Sequence, residues 1–248
     1  MLKRPIEYEK IQLEDLVLHK IIMNIDAHTD INNIYKYFDI FQPETIEKAS
    51  LKRKSEFLIG RISAKYALKA LGFNDSFVIH KGIQGEPIWP ENISGSISHA
   101  MYSSTKGMAI SYACNDTQVM EQTTEKLTKL IAGIDIELKQ NNDLFLRNPT
   151  MVNSYLSMQE FKYSSLFKKS NPLIYLILFS SKESIIKAIF SKYNLILDFH
   201  SIHCIKIDNH NKSIEFYISK IKKNKIIKVN FIDLKDEIIT YCKLNTIN

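Results

Sequence analysis

Leu58, Ile62 and Tyr66 recur every fourth residue within Leu51–Leu71. That is the spacing of one face of an α-helix, and Gly72 closes the segment. Tyr155–Phe167 and Pro172–Phe190 carry a comparable pattern and predict two more helices, and Pro43 ahead of Glu44 marks another helix start. Short apolar, β-branched runs predict strands at Phe77–Ile79, Met108–Ala113, Leu130–Leu138, Phe199–Ile207, Ser213–Ile221 and Ile226–Phe231, with the polar Asp208–Lys212 as a turn. Gly82, Gly85, Pro87 and Pro90 give Lys81–Pro90 loop chemistry. Residues 5–40 mix apolar and polar positions without a clear period and stay unassigned. Gln118–Lys129 is polar and charged and reads as a linker or surface insertion. Helices and strands therefore occur on both sides of it, a mixed α/β (α+β) pattern.

The chain has 248 residues, room for one large domain or two small ones. Lys and Arg exceed Asp and Glu by 33 to 27, a net charge of +6 that suits an anionic ligand or an acidic partner. No dense basic run interleaved with aromatics points to nucleic acid. The longest apolar run, Leu173–Phe179, is far short of the roughly 20 residues of a membrane-spanning helix. Met1–Lys10 carries charges throughout, unlike a secretory leader. Cys114, Cys204 and Cys242 are odd in number and widely spaced, which predicts reduced thiols and a cytoplasmic protein.

Several clusters could carry chemistry. In Gly133-Ile134-Asp135-Ile136-Glu137, strand alternation sends Asp135 and Glu137 to one side and Ile134 and Ile136 to the core. Paired carboxylates repel unless a divalent cation joins them, and magnesium prefers oxygen ligands. The competing reading is a solvent-facing strand edge. On the helix containing Ser181-Lys182-Glu183-Ser184, Glu183 and Lys187 lie one turn apart and could serve metal and phosphate, or be a plain surface pair. Gly95-Ser96-Ile97-Ser98-His99 could donate hydrogen bonds to phosphate, or be a turn rich in Ser and Gly. Arg53, Gly60 and Arg61 share a helix on which Gly60 suggests close backbone approach. Zinc at His200, His203, Cys204 and His210 is disfavoured, because adjacent strand residues face opposite ways. The basic hairpin Lys220–Lys228 reads as a solvated surface.

Taken in order, Arg53–Leu68, Gly85–His99, Gly133–Glu137 and Phe179–Ala188 resemble the phosphopantetheinyl transferase superfamily, and within it the enterobactin-synthase component D type. The resemblance implies transfer of the 4′-phosphopantetheine group of coenzyme A to a serine of an apo acyl, peptidyl or aryl carrier protein, with release of 3′,5′-ADP and dependence on magnesium. It implies a monomeric pseudo-dimer of two similar halves, drawn here at residues 1–120 and 121–248, each a small sheet on a helix, with the ligand in the cleft between them. Asp135, Glu137 and Glu183 would hold the metal. Lys187 would reach the pyrophosphate. Ser98 and His99 would contact phosphates, His99 the 3′-phosphate. Arg53 and Arg61 are further phosphate candidates, and Pro87 lies toward the adenine. Glu160 or Glu183 would take the serine proton. Three carboxylates converging without a cation would cost folding stability. Glu86 and Phe179 depart from the common pattern. The alternative from another class is a non-catalytic coenzyme A or nucleotide-binding module.

Overall fold

An antiparallel hairpin opens the chain where no period was legible: β1 (Ile6–Leu13) pairs residue for residue with β2 (Leu16–Asn24). The computed structural model describes residues 6–13, 16–25, 29–74, 76–115, 129–221 and 225–246. Most of the stretch read as a linker, 118–128, and Lys222 and Lys223 of the basic hairpin lie outside them. The chain divides into two compact units, Met1–Thr128 and Lys129–Asn248.

In the first unit the hairpin is followed by α1 (Ile31–Tyr37), α2 (Glu44–Glu47) and α3 (Leu51–Ala70). The short strands β3 (His80–Lys81) and β4 (Pro87–Ile88) come next, then β5 (Ile93–Met101) and β6 (Lys106–Asn115). The main sheet has the order β1-β2-β6-β5, all antiparallel. Ser50 caps α3 by accepting the Arg53 N–H, and Gly72, at φ +90°, follows its end in the left-handed region glycine favours. The helix buries Phe57, Leu58, Ile59 and Ile62 against the sheet, each side chain contributing roughly 1.5–3 kcal/mol. Gly60 permits that approach, since a methyl there would stand 3.2 Å from Ile97 Cγ2 on β5. Phe77–Ile79 is not a strand. The pairing falls one step later, between β3 and β4, and Gly85 at φ +94° turns the chain between them.

The second unit holds β7 (Lys129–Leu138), α4 (Asn142–Arg147), α5 (Pro149–Tyr155), α6 (Met158–Ser165) and α7 (Ile174–Tyr193). Four strands follow, β8 (Ile202–Asp208), β9 (Ser213–Ile218), β10 (Lys225–Asp233) and β11 (Glu237–Thr246). Its sheet, ordered β7-β11-β10-β9-β8, is antiparallel throughout. α7 lies on it and buries Ile177, Leu178, Ile185 and Ile189 in one core with Phe216, Val229 and Ile238. Asn194, at φ 50°, ends the helix as a left-handed cap. Of the predicted helix Tyr155–Phe167, Tyr155 instead ends α5, and α6 begins at Met158. Ser157 adopts an extended conformation and starts α6 with a reciprocal cap, its hydroxyl taking the Glu160 N–H while the Glu160 carboxylate takes the Ser157 N–H. Phe199–Ser201 forms a 3₁₀ turn, so β8 begins at Ile202. No helix among the described residues is long and apolar enough to cross a membrane. The fold is α+β, with helices set against antiparallel sheets.

Candidate functional site

Gly133, Asp135 and Glu137 alternate along β7 onto one face, and that face is the one α7 covers. At Gly133 the helix comes so close that a methyl group would lie 1.8 Å from the Ser184 carbonyl oxygen and 2.7 Å from the Ala188 nitrogen. The carboxylate two residues on therefore meets helix side chains directly. Asp135 Oδ1 pairs with Lys187 Nζ at 2.6 Å, and Oδ2 accepts from Ser180 Oγ at 2.7 Å. Asp135 is 4% exposed, so β7 is no solvated edge at this point. Nor do its acids point away from the helix. Ile134 and Ile136, also fully buried, take the opposite face.

The other acids gather around the same lysine. Burial and the nearby Asp135 push Glu137 up to about 8, although Asn141, which donates to its Oε2 at 3.2 Å, and Lys187 pull the other way. Glu183 is raised as well, by burial and by Asp135, against the pull of Lys187. Burial opposes charge on Lys187, but Asp135 and Glu183 outweigh it and raise its proton affinity above the ordinary ammonium value. Lys187 thus offsets part of the repulsion expected of three carboxylates, while burial and Asp135 still raise both glutamates. Among the described residues no group of three or more His, Cys, Asp and Glu side chains is already gathered as a metal site.

Glu160 belongs to a second network. Its carboxylate pairs with Lys182 at 2.8 Å, accepts the Cys204 N–H at 2.8 Å and takes the Ser157 N–H at 2.9 Å. Burial alone would raise its proton affinity, but these donors, Lys182 first, hold it below the usual carboxylate range. Lys182 also donates to the carbonyls of Tyr155 at 2.7 Å and Phe199 at 3.1 Å, so it ties α5, α6 and the 3₁₀ turn to α7.

In the first unit, Arg53 stands partly exposed beside Glu56 at 3.1 Å. Arg61 is buried. Its Nε donates to the Ile79 carbonyl at 3.0 Å and its Nη2 to that of His80 at 3.2 Å, over the Phe57 ring. Burial and the neighbouring Arg53 lower it to about 10. Pro87 lies on β4. Ser98 and His99 are on β5, not in a turn, in unbroken register with Ile110 and Ala109 of β6. Adjacent on a strand, they face opposite ways, with Ser94 and Ser96 on the Ser98 side. Sequence reasoning did not single out Ser180, Thr240, Asn141 or Lys182 for roles of their own. Only Ser180 and Lys182 lay within a quoted motif.

Comparison with known proteins covers these two sets of residues separately. Residues 41–104, which include Arg53, Arg61, Pro87, Ser98 and His99, match the family described as 4′-phosphopantetheinyl transferase N-terminal domain. Residues 132–242, from Gly133 through Lys187 to Thr240, match the 4′-phosphopantetheinyl transferase superfamily. Enterobactin synthase component D of Salmonella typhimurium is 30% identical over 154 residues, 61% of this chain and 55% of that protein. The protein of the same name from Escherichia coli is 44% identical over 54 residues, 22% of this chain and 25% of its own length. 4′-phosphopantetheinyl transferase PptT of Mycobacterium tuberculosis is 39% identical over 54 residues, 22% of this chain and 23% of that protein. The chain spans about half the length of the Salmonella relative it matches.

Proposed function

Because the chain belongs to the 4′-phosphopantetheinyl transferase superfamily, we propose that it moves the phosphopantetheine arm of coenzyme A onto a serine of an apo acyl, peptidyl or aryl carrier protein and releases 3′,5′-ADP. One observation carries the reading: Asp135, Glu137, Glu183 and Lys187 are assembled around a single ion pair between β7 and α7. Attack of a serine hydroxyl on the β-phosphorus concentrates negative charge on the pyrophosphate as the nucleotide leaves. A fixed ammonium at Lys187 suits that charge, and its raised proton affinity keeps it protonated through the neutral range. Positioning and electrostatics are sufficient for such a transfer without a covalent enzyme intermediate.

The donor set fits an oxygen-preferring divalent cation. Asp135, Glu137 and Glu183 supply only carboxylate oxygens, and burial, with Asp135 beside them, disfavours charge on both glutamates. These three residues would hold magnesium. When bound, it neutralises charge on the pyrophosphate. Of the two acids considered for the serine proton, Glu160 already spends its oxygens on Lys182 and on the Cys204 and Ser157 N–H groups, which leaves Glu183. We therefore give Glu183 the proton-accepting role and Glu160 a supporting one. Arg53, partly exposed, suits a phosphate contact better than Arg61, which already holds two backbone carbonyls. His99 is assigned to the 3′-phosphate, Ser98 to a separate phosphate contact and Pro87 to the adenine side.

The experiment is intact-mass measurement of apo carrier proteins of siderophore, peptide, polyketide and fatty-acid types after incubation with coenzyme A, magnesium and this protein. A gain equal to one phosphopantetheine on at least one carrier, abolished by chelator, is expected. Coenzyme A binding with no modified carrier across the panel would instead make the protein a binding module.

A further inference from the structure

Ser180, Ser184 and Thr240 are three hydroxyl residues between α7 and the second sheet, each 0% exposed. Buried hydroxyls are unfavourable unless hydrogen-bonded, and Ala or Val would fill such space without that cost. Here they form a line. Ser184 Oγ is 2.7 Å from Thr240 Oγ1, Thr240 Oγ1 is 2.9 Å from Ser180 Oγ, and Ser180 Oγ is 2.7 Å from Asp135 Oδ2. The backbone sets the line up. Thr240 is the cross-strand partner of Asp135, and Ser180 and Ser184 are one helical turn apart on the face α7 turns to the sheet.

Proton counting gives the line a direction. Each hydroxyl has one proton. The ion-paired Asp135 carboxylate only accepts, so the Ser180 proton points to Oδ2. The close contact between Ser180 and Thr240 then requires the Thr240 proton to point to Ser180. Ser184 has a single proton to share between the Thr240 carbonyl oxygen, to which it donates at 3.0 Å, and Thr240 Oγ1 at 2.7 Å. The Thr240 and Ser180 hydroxyl dipoles thus align head to tail on one oxygen, and such chains strengthen each member. A lone Asp carboxylate turns easily about χ2. With Oδ2 fixed by Ser180, Oδ1 is left directed at Lys187.

We propose that Thr240, acting through Ser180 and backed by Ser184, is a positioning residue that fixes the rotation of Asp135, so that one oxygen and Lys187 face the reacting group in the proper orientation. The inference rests on the transferase reading for its consequence in catalysis, but not for the existence of the relay.

Two measurements separate these. The first reads the relay alone. Slowly exchanging hydroxyl protons of Ser180 and Thr240 are followed by proton NMR in the intact protein, and Thr240→Val, which keeps shape and removes the hydroxyl, is compared with the parent. The Ser180 resonance must move upfield in Thr240→Val and return in Thr240→Ser; an unmoved resonance overturns the relay. The second uses a carrier that the parent protein modifies. Thr240→Val should lower kcat by about two- to tenfold, the scale of losing a hydrogen bond between neutral groups, with KM for coenzyme A unchanged and kcat restored in Thr240→Ser. Ser184→Ala should give a smaller loss of the same kind. Equal losses in Thr240→Val and Thr240→Ser, or unchanged kcat in Thr240→Val, would overturn the positioning role. If the parent modifies no carrier, the transferase reading fails and the NMR result still decides the relay.

Discussion

Glu160 and Lys182 meet at 2.8 Å in an ion pair whose side chains are 5% and 0% exposed. Removing one partner of a buried pair strands the other charge and typically costs about 3–5 kcal/mol, whereas replacing both with apolar groups is often neutral. Glu160→Gln should therefore lower the melting temperature steeply, and Glu160→Met combined with Lys182→Met should recover only part of the loss, since the Ser157 and Cys204 N–H groups and the Tyr155 and Phe199 carbonyls also lose their partners. Thermal unfolding of the three proteins checks this. A Glu160→Gln protein of undiminished stability but without turnover would place Glu160 in the chemistry instead.

Gly133 faces helix backbone, not a side chain that could move aside. The atoms within 3 Å of a methyl there, the Ser184 carbonyl carbon and oxygen and the Ala188 nitrogen, are fixed by α7. Gly133→Ala should cost at least about 1–3 kcal/mol, the range for overpacking a tight interface. Separation of α7 from β7 would also lengthen the Lys187–Asp135 pair. Denaturant unfolding measures the first effect, and a wild-type midpoint would show that the helix is not seated on that glycine.

Glu137 makes metal-free stability depend on pH. Its folded-state value of about 8 lies above the unfolded reference of 4.5. The folded state thus binds the proton more tightly. Its stabilising contribution is complete below about pH 4.5 and is lost as pH rises through about 8. Between pH 6.5 and 9, in chelator, the melting temperature should fall, and Glu137→Gln should flatten the fall by at least about 2 °C. The same slope in the parent and in Glu137→Gln would assign it to another group.

His99 should discriminate between coenzyme A and its dephospho form. On β5 it faces away from Ser98, so the contacts proposed for the two side chains are separate ones. His99→Ala should weaken coenzyme A by about tenfold, as for loss of a charge-assisted hydrogen bond, and leave dephospho-coenzyme A nearly unaffected in titration calorimetry. An equal loss for both ligands removes His99 from the 3′-phosphate.

Much of the second unit was legible because its signals are local. Leu130–Leu138 is β-branched and apolar, and β7 covers Lys129–Leu138; the period in Pro172–Phe190 corresponds to α7 at Ile174–Tyr193. β5 escaped notice because Gly95 and its flanking serines have turn chemistry, and their burial depends on pairing with β6. The hairpin of β1 and β2 was hidden by His19 and Lys20, polar residues buried inside β2. Asp135 and Lys187 could be singled out by residue type, but not their ion pair, which is made by strand and helix more than fifty residues apart. Thr240 had no local signature at all. It joins the site only because β11 pairs with β7 in a register that sets it opposite Asp135.

In the proposed transfer each modified carrier releases one nucleotide, and a single time course measures both. Carrier protein, coenzyme A, magnesium and this protein are combined, and modified carrier, by intact mass, and free 3′,5′-ADP, by chromatography, are quantified in the same samples. One 3′,5′-ADP is expected for each carrier modified at every time point. Both products should fall at least ~10²-fold in Lys187→Ala, the scale of losing one electrostatic stabiliser. Nucleotide release without carrier modification, or a Lys187→Ala protein that matches the parent in both products, would contradict the proposed transfer.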